Sequence, residues 1–316
     1  MRHCLICENE SVFPFVELYD DRHSYPGLFQ IMKCQSCGHK SLQAEFSPKD
    51  LTRMYTEFYP RSLFILEEYH PYKEVSGLGA WLDGTQNSAF RWVPKNVRVL
   101  DIGCGFGESL GYHKSRGCDV YGVEADVNIR RVADRFGYKV HVGLFDPKIY
   151  EPDFFDYVTL DQVIEHVTNP VEMLRDITGV MKPGGMLIIG TPNSNGWGAK
   201  VFGRHWIHWH TPYHLQLFSK KSMKLATEKA GLALEDVKTI TNSYWLYLQW
   251  VHLLLRPDEG EPSVLWNPGI KRSRAQERII TMMTWMHQTR INHVISRIFD
   301  ALGVGDNYLF FLRKKS

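Results

Sequence analysis

A run of seven residues, Asp101 to Gly107 (DIGCGFG), has the residue types and spacing needed to bind a nucleoside-containing ligand. It follows an apolar segment typical of a buried strand and precedes a segment that can start a helix, Glu108 to Arg116. Its three glycines permit a tight turn and let backbone N–H groups approach a ligand at the helix N-terminus. A dinucleotide fingerprint would need glycine in place of Glu108, and Asp101 suits an aminoacyl ammonium group better than a pyrophosphate.

Acidic and aromatic side chains follow the next two expected strands. Glu124 ends the second strand, where its carboxylate can accept hydrogen bonds from both hydroxyls of a ribose. After the third strand, Phe145 offers an apolar wall for adenine, and Asp146 offers an acceptor for the exocyclic amine. The alternative for Asp146 is a helix N-cap or a turn residue before Pro147.

Histidines near two other expected strand ends could supply a general base, which is useful when a hydroxyl or an acidic carbon reacts. His166 follows the fourth strand, and the segment His205 to His214 follows the fifth. We favour His210 and His214 as base or substrate contact, with His166 as a further candidate; hydrogen bonding of these histidines to loop backbone is the alternative. A metal site formed by His208, His210 and His214 is disfavoured because the sequence has no carboxylate near them.

Two CxxC pairs lie near the N-terminus. They comprise four of the six cysteines: Cys4, Cys7, Cys34 and Cys37. Two such pairs can give four thiolates to a structural Zn²⁺ ion, although the gap between the pairs exceeds the usual spacing of zinc ribbons. A thiol redox pair is the alternative, and His3 or His39 could replace one thiolate. We expect a small zinc ribbon that folds around its metal in a reducing cytoplasm.

From Val97 onward, strand-like and helix-like segments alternate, which is typical of an open parallel sheet with crossover helices. The expected fold is therefore α/β, with a doubly wound, seven-stranded, mostly parallel sheet. The predicted strands are Arg98–Ile102, Asp119–Glu124, Lys139–Val142, Phe155–Leu160, Gly185–Gly190, Leu234–Ile240 and Tyr308–Leu312.

Composition divides the chain into four parts. The predicted parts are a zinc ribbon at 1–45, a linker and covering helix at 46–94, a core at 95–240 plus 306–316, and a helical cap at 241–305. A broken helical stripe marks the cap: Ile279, Met283, Met286, Val294 and Ile298.

The bulk composition limits the classes of protein. Of 316 residues 44% are hydrophobic, enough for one large core plus a small appendage. The formal net charge of +2, spread over the whole length, lacks the basic face of a nucleic-acid binder. The longest apolar-rich stretch, Ser243 to Leu255, is too short to span a bilayer of about 30 Å, and the N-terminus has no apolar targeting segment. We expect a soluble, cytoplasmic protein.

Five motifs occur in the order found in class I S-adenosylmethionine-dependent methyltransferases, and they resemble the small-molecule enzymes of the ubiquinone-biosynthesis type. These motifs are Asp101–Gly107, Glu124, Asp146, Phe154–Val167 and Met181–Pro192. The resemblance implies a Rossmann-like fold, S-adenosylmethionine as cofactor, and a position for Asp161 and Gln162 beside its methionine part. The implied cofactor site comprises Asp101, Gly103, Cys104, Gly105, Gly107, Glu124, Ala125, Phe145, Asp146, Asp161 and Gln162.

The expected acceptor is a small molecule or a glycan precursor, methylated at oxygen or carbon. The arrangement of paired cysteines before such a domain resembles that of enzymes that act on nucleotide-linked or lipid-carrier-linked sugars. Asp161 lacks the following proline pair of nucleobase N-methyltransferases, and no cysteine nucleophile stands at the strand end. The alternatives are a methyltransferase that acts on protein or RNA docked by the ribbon, and a non-catalytic cofactor-binding module, against which the intact glycine run argues.

Aromatic residues in the cap offer surfaces for stacking on sugars or for lying at a lipid interface. They are Tyr244, Trp245, Tyr247, Trp250 and Trp266. Peripheral contact with a membrane that carries a lipid-linked substrate is one hypothesis, and core packing of these aromatics is the other.

Overall fold

The structure, a computed structural model, describes residues 3–44, 46–59, 65–267 and 269–315. Its strands are β1 Val12–Leu18, β2 Phe29–Cys34, β3 Lys40–Leu42, β4 Arg98–Ile102, β5 Asp119–Glu124, β6 Lys139–Val142, β7 Phe155–Asp161, β8 Met181–Pro192, β9 Gln216–Leu217, β10 Leu232–Thr239 and β11 Asn307–Lys314. Its α-helices are α1 Pro48–Arg53, α2 Gly77–Asp83, α3 Glu108–Ser115, α4 Ile129–Phe136, α5 Pro170–Val180, α6 Trp197–Phe202, α7 Lys220–Lys229, α8 Ser243–Leu254, α9 Arg274–Gln288 and α10 Ile291–Ala301.

Seven strands form the central sheet in the order β10-β11-β8-β7-β4-β5-β6. Strand β4 pairs in parallel with both β5 and β7, and the flanking pairs β5–β6 and β7–β8 are also parallel. Strand β11 runs antiparallel between β8 and β10. The predicted doubly wound, mostly parallel sheet of seven strands is confirmed. Because the strand order reverses at β4, a crevice opens at the carboxyl ends of the neighbouring strands, where ligands bind in such sheets.

Successive residues of the central strands are buried on opposite faces of this sheet. Leu100 and Leu187 pack with Phe310 in one apolar cluster, whereas Val99 and Ile188 pack in another. Each of the five side chains is at most 1% exposed. Strands covered on both faces need apolar residues at consecutive positions, which explains the unbroken apolar character of β4 and β8. Fully burying such a side chain stabilises the fold by about 1.5–3 kcal/mol.

Strand β8 is longer than its sequence predicts. The predicted strand begins at Gly185 and ends at Gly190. In the structure it begins at Met181, which pairs with Phe155 across an irregularity in the register of β7 and β8. Residues 182–185 lie opposite the single residue Asp156, and Gly184 has a φ of +75°, so this part of the strand is a bulge and not regular pairing.

A second, antiparallel sheet contains the N-terminal strands in the order β1-β2-β3-β9. Its fourth strand comes from much later in the chain, where Gln216 and Leu217 pair with Ser41 and Lys40. The buried Lys40 ammonium also donates to the Ser194 carbonyl at 3.1 Å and to the Ser194 hydroxyl at 2.9 Å. The N-terminal segment is thus joined to the main domain by hydrogen bonds, and its predicted boundary at residue 45 stays a prediction.

Helices α8, α9 and α10 lie between β10 and β11 and pack against one another. Ile279, Met283 and Met286 of α9 contact the apolar cluster built on α8. Val294 and Ile298 of α10 are instead 50% and 53% exposed, so the helical stripe in the sequence is not continuous in the packing. In the described part of the chain, no helix has both the length and the apolar character that crossing a bilayer requires.

Candidate active site

The glycine loop connects β4 to α3 at the carboxyl edge of the sheet. The backbone N–H groups of Gly103 and Cys104 donate to the Val123 carbonyl of β5 at 2.8 and 3.1 Å. The glycines at 103, 105 and 107 have φ values of +76°, +56° and +84°, a region that side chains with a Cβ rarely adopt. The sequence pattern predicted this turn, and the structure has it.

The central glycine of this loop faces open space. A Cβ atom at Gly103 would lie 2.4 Å from Val163 Cγ2, and one at Gly107 would lie 3.2 Å from Ile129 Cδ1. At Gly105 a Cβ atom would meet nothing within 4 Å. The outer glycines therefore permit close packing inside the protein, whereas Gly105 leaves room for a ligand on the outer side of the loop.

Asp101 lies beneath the loop and is held by two hydroxyl groups. Its Oδ1 accepts a hydrogen bond from Thr159 Oγ1 at 2.7 Å, and its Oδ2 accepts one from the Ser109 hydroxyl. Burial raises the pKa of Asp101 to about 6 against the opposing effect of these hydrogen bonds. Its predicted contact with an ammonium group stays a prediction, since both oxygens already have a partner within the protein.

Glu124 links the end of β5 to the glycine loop. Its Oε2 accepts from the Gly105 N–H and its Oε1 from the Asp126 N–H, each at 2.9 Å. The carboxylate is half-buried and lies beside the exposed Ala125, next to the open side of the loop. This position is consistent with the predicted contact to ribose hydroxyls.

The segment after β6 carries the predicted adenine contacts. Phe145 is half-buried and stacks on Tyr150 with ring centroids 6.2 Å apart, whereas the preceding Leu144 is 82% exposed. Asp146 accepts a hydrogen bond from the Lys148 N–H at 3.0 Å and so caps a short 3₁₀ turn. The alternative role named for Asp146 from the sequence is therefore observed, and its contact with adenine stays a prediction.

Two polar residues end β7. Asp161 Oδ1 is buried and has no hydrogen-bond partner among the described residues. Burial, reinforced by the charge of Asp101, raises the pKa of Asp161 to about 7. Gln162 adopts a left-handed backbone with φ of +58° and donates from Nε2 to Asn307 Oδ1 at 2.9 Å. Asp161 therefore keeps one unpartnered oxygen at the carboxyl edge of the sheet, while hydrogen bonds from Ser88, the Ala89 backbone and Gln162 oppose the rise of its pKa.

The three candidate histidines lie together, although His166 is far from the others in sequence. The rings of His166 and His214 are 4.8 Å apart, and those of His210 and His214 are 4.9 Å apart. His166 Nδ1 contacts the Tyr213 carbonyl at 3.0 Å, and His214 Nδ1 contacts the His208 carbonyl at 2.9 Å. The predicted alternative, a bond to loop backbone, thus holds for one nitrogen of each of these two rings.

Burial keeps these imidazoles neutral. Desolvation lowers the pKa of His166 to about 4 and lowers those of His210 and His214 well below the usual value. His210 Nε2 is buried and lacks a hydrogen-bond partner within the described chain. At neutral pH the cluster therefore offers unprotonated ring nitrogens, which are the form that can accept a proton.

Glu165 is a site residue that the sequence analysis missed. It is fully buried, accepts a hydrogen bond from Thr191 Oγ1 at 3.0 Å, and has a pKa raised to about 8 by burial. The ligand atoms of Glu165, His166 and His214 lie within 4.8 Å of one another, which is close enough to hold a metal ion. The expectation that no carboxylate lies near the histidines is wrong, because β7 and the histidine segment converge only in three dimensions.

The four cysteines form a cluster at the N-terminal sheet. The Sγ atoms of Cys4 and Cys37 are 3.6 Å apart, and those of Cys7 and Cys34 are 3.5 Å apart. All four sulfur atoms lie within 4.8 Å of one another. Thiolates at about 2.3 Å from a tetrahedral Zn²⁺ ion are about 3.8 Å apart, so the cluster has suitable dimensions. The two sulfur pairs join different CxxC motifs, which is consistent with one site shared by both motifs and differs from a redox pair within one motif.

The strand order, the glycine loop after β4 and the acid that ends β5 define a class I S-adenosylmethionine-dependent methyltransferase. The chain matches the methyltransferase domain family over residues 64–237 and belongs to that family.

Two curated relatives are similar over part of their length. A ubiquinone biosynthesis O-methyltransferase of Maricaulis maris is 31% identical over 153 residues, which cover 44% of this chain and 60% of that protein. One from Xanthomonas euvesicatoria pv. vesicatoria is 30% identical over 163 residues, which cover 47% of this chain and 68% of that protein. The first match therefore spans less than two thirds of the relative.

Among solved structures, phosphoethanolamine N-methyltransferase 2 of Haemonchus contortus is 20% identical, with a TM-score of 0.46. The alignment covers 76% of this chain and 53% of that chain.

Replacing Gly105 by arginine should fill the open side of the loop. We expect Gly105→Arg to weaken binding of S-adenosylhomocysteine by about a hundredfold or more, equivalent to roughly 3 kcal/mol, in isothermal titration calorimetry. Gly184→Arg is the matched control, since Gly184 also has a positive φ and open space but lies at the opposite edge of the sheet. Equal affinity of both variants and the unmodified protein would contradict the assignment of this loop.

Proposed function

We propose that this protein transfers the methyl group of S-adenosylmethionine to an oxygen or carbon atom of a small-molecule or glycan-precursor acceptor. The observation that carries the proposal is the open loop at Gly105 together with the unpartnered Oδ1 of Asp161 at the same edge of the sheet. The donor's sulfonium and ammonium groups are cations, and buried charges need a partner of opposite sign. A hydroxyl acceptor is supported by the two curated relatives, both named ubiquinone biosynthesis O-methyltransferase.

The residues around the loop would hold the donor. Glu124 would bind the ribose hydroxyls, Phe145 and the exposed Leu144 would flank the adenine, and Asp161 would face the methionine part. Asp101, fixed by Ser109 and Thr159, would act as a negative charge beneath the ammonium group rather than as a direct hydrogen-bond partner. The remaining proposed contacts are Gly103, Cys104, Gly107, Ala125, Asp146 and Gln162.

The chain's own contribution to the reaction is alignment and proton removal. When bound, S-adenosylmethionine supplies an activated methyl group on its sulfonium sulfur. Holding the acceptor in line with that group and excluding water are effects worth roughly 7–11 kcal/mol. Because His214 Nδ1 is bonded to the His208 carbonyl, its Nε2 is the atom that can take the acceptor's proton. His166 and His210, whose ring centroids lie 4.8 and 4.9 Å from that of His214, are the other candidates for that role.

His214→Asn tests this assignment, because the asparagine amide can still donate to the His208 carbonyl while Nε2 is lost. We expect turnover to fall by about 10²–10⁴-fold, the range for loss of a general base, with unchanged affinity for S-adenosylhomocysteine. Added imidazole should restore part of the rate. His205→Asn, in the same segment but outside the cluster, should retain activity. A His214→Asn enzyme of full activity would exclude His214 as the base.

We infer that the four-cysteine cluster binds a structural zinc ion. Three of its members, Cys4, Cys34 and Cys37, are buried and belong to the same apolar cluster as Phe218 and Met223 of the main domain. All six cysteines of the chain are free, which supports a reducing compartment such as the cytoplasm. His39 contacts Gln216 Oε1 at 2.7 Å, an arrangement that favours four thiolates over a mixed ligand set.

Removal of the metal should destabilise the N-terminal sheet. We expect native mass spectrometry to find one zinc ion per chain. In the Cys34→Ser variant this zinc ion should be absent. The Tm of the variant, measured by calorimetry, should fall by about 2–4 °C for each kcal/mol by which the free energy of unfolding decreases. Cys118→Ser, at a buried cysteine outside the cluster, should keep its zinc. Metal-free protein with an unchanged Tm would refute the structural role.

The alternative functions receive less support. A ribbon that docks protein or RNA should stand apart from the domain, but Ser219 Oγ donates to the Cys37 carbonyl at 2.6 Å and Lys221 Nζ to the Ser36 carbonyl at 2.5 Å. These contacts favour a structural role for the cysteine segment. A non-catalytic module would have no need of the neutral histidine cluster beside the donor site.

We also propose that the cap contacts an anionic membrane surface. Of the aromatics considered in the sequence, Tyr244 is 52% exposed, whereas Trp245, Tyr247, Trp250 and Trp266 pack within the cap. Other apolar side chains are more than half exposed on α9, on α10 and directly after α10: Met282, Trp285, Ile291, Ile298 and Leu302. Residues 271–302 contain six Lys or Arg against two Asp or Glu. Arg297 is buried and paired with Asp300, so the other five cations are the ones that would complement anionic lipid.

Liposome co-sedimentation tests this surface. Vesicles with a phosphatidylglycerol fraction should retain the protein and pure phosphatidylcholine vesicles should not, and the double variant Trp285→Glu/Ile298→Glu should lose retention. Leu28→Glu, at an exposed leucine of the N-terminal segment, is the control. Equal retention of all variants would rule out membrane contact by these helices. Sedimentation velocity showing that the protein self-associates through the exposed apolar residues would rule it out as well.

A further inference from the structure

Arg22 is a buried cation that forms no ion pair with any residue the structure describes. Arg22 is only 6% exposed. Its Nη2 donates a hydrogen bond to the Ile207 carbonyl, and its guanidinium lies 4.5 Å from the centre of the Trp266 ring. Its Nε is buried and has no hydrogen-bond partner in the described chain. Among the described residues, the guanidinium therefore makes one hydrogen bond, although it has five N–H donors.

The nearby acids are occupied elsewhere. Asp20 accepts backbone N–H groups of Arg22, His23 and Tyr25 at 2.9–3.0 Å and serves to close the turn after β1. Asp21 forms ion pairs with His252 at 3.1 Å and Arg256 at 3.2 Å. Neither carboxylate lies within ion-pair distance of the Arg22 guanidinium, but both act on it through space and raise its pKa. Among the described residues, the guanidinium therefore has nearby negative charges but no carboxylate that accepts its hydrogen bonds.

An unpaired buried charge is costly for a folded protein. Desolvation lowers the pKa of Arg22 to about 10, so the guanidinium still carries its charge at neutral pH. A hydrophobic residue of similar volume would avoid this cost, and it would pack as well against Trp266. The arrangement is understandable if an anion enters the site and completes the hydrogen bonds of the guanidinium.

The position of Arg22 indicates that such an anion would bind on the proposed acceptor side of the active site. Ile207, its hydrogen-bond partner, belongs to the segment that carries His210 and His214, and the charge of Arg22 lowers the pKa of both histidines. His210 Nε2 and Thr211 Oγ1 of this segment are also buried and have no hydrogen-bond partner among the described residues. Unused donors and acceptors are therefore concentrated beside the candidate base.

We propose that Arg22 binds an anionic group of the methyl acceptor, a carboxylate or a phosphate, through the forked donors of its guanidinium. Planar guanidinium groups match both anions with two parallel hydrogen bonds, and stacking on Trp266 would keep the fork in one orientation. Arg22 comes from the N-terminal segment and Trp266 from the cap, so both appendages of the core would take part in substrate selection. This inference rests on the proposed methyl transfer and narrows its acceptor to anionic molecules.

Two probes distinguish the sources of such an anion. Inorganic pyrophosphate represents a phosphate-bearing acceptor and benzoate a carboxylate-bearing one, with phenol as the neutral counterpart of benzoate. Each is titrated into the full-length, S-adenosylhomocysteine-saturated protein by calorimetry. We expect one of the two anions to bind. If that anion is benzoate, phenol should bind more weakly than benzoate. Arg22→Met should lower the affinity for the anion by at least about thirtyfold. Arg22→Lys, which keeps the charge but not the fork, should bind it less well than arginine.

Stability separates this role from a structural one. Without anion, Arg22→Met should have a Tm equal to or above that of the unmodified protein, because an unpaired buried charge is removed. Arg256→Met, which breaks an ion pair with Asp21, should lower Tm and leave anion binding unchanged. A Tm loss in Arg22→Met with unchanged anion affinity would make Arg22 structural and overturn the proposal.

The remaining outcomes are also decisive. Failure of both anions to bind the unmodified protein, or equal binding by Arg22→Met, overturns the anionic subsite. Loss of S-adenosylhomocysteine binding in every protein, including the unmodified one, instead refutes the proposed methyl transfer itself. The two failures are thus told apart by the cofactor titration alone.

Discussion

Parallel pairing of β4 with both β5 and β7 is the constraint on which the site depends. Parallel strands end at the same edge of a sheet, so the pairing brings the glycine loop, Glu124 and Asp161 to one crevice. The loop is held there by the Val123 carbonyl, which accepts two of its backbone N–H groups. Without this register the three parts of the donor site would lie on separate strand ends.

The proposed acceptor side is built differently, from segments that come together through a second sheet. Pairing of β3 with β9 fixes the chain directly after the histidine segment against the N-terminal strands. The same N-terminal segment carries Arg22 and the four-cysteine cluster, whose buried members pack into the core of the main domain. A metal held by these cysteines would therefore stabilise the acceptor side while touching no reacting atom.

Burial sets the charge of most titratable groups in the crevice. It raises the pKa values of Asp161 and Glu165 to about 7 and about 8, and it lowers that of His166 to about 4. Each shift favours the neutral form, because a charged group loses more hydration on burial than a neutral one. Arg22 is the exception, since its intrinsic pKa is too high for burial to neutralise it. A cation that keeps its charge on burial attracts an anion, and Asp20 and Asp21 already act on Arg22 in this way without forming an ion pair with it.

The sequence by itself determined the class of fold and the donor loop. Strand β4, its three glycines and Glu124 are contiguous or follow at fixed strand spacing, so local pattern was sufficient to predict them. Tertiary structure alone decided the rest. Strand β9 has two residues and no pattern of its own, Glu165 meets His214 only after β7 is paired, and Arg22 reaches the histidine segment from another sheet. Long-range contacts of this kind leave no periodic signal, because their partners are set by packing and not by neighbours along the chain.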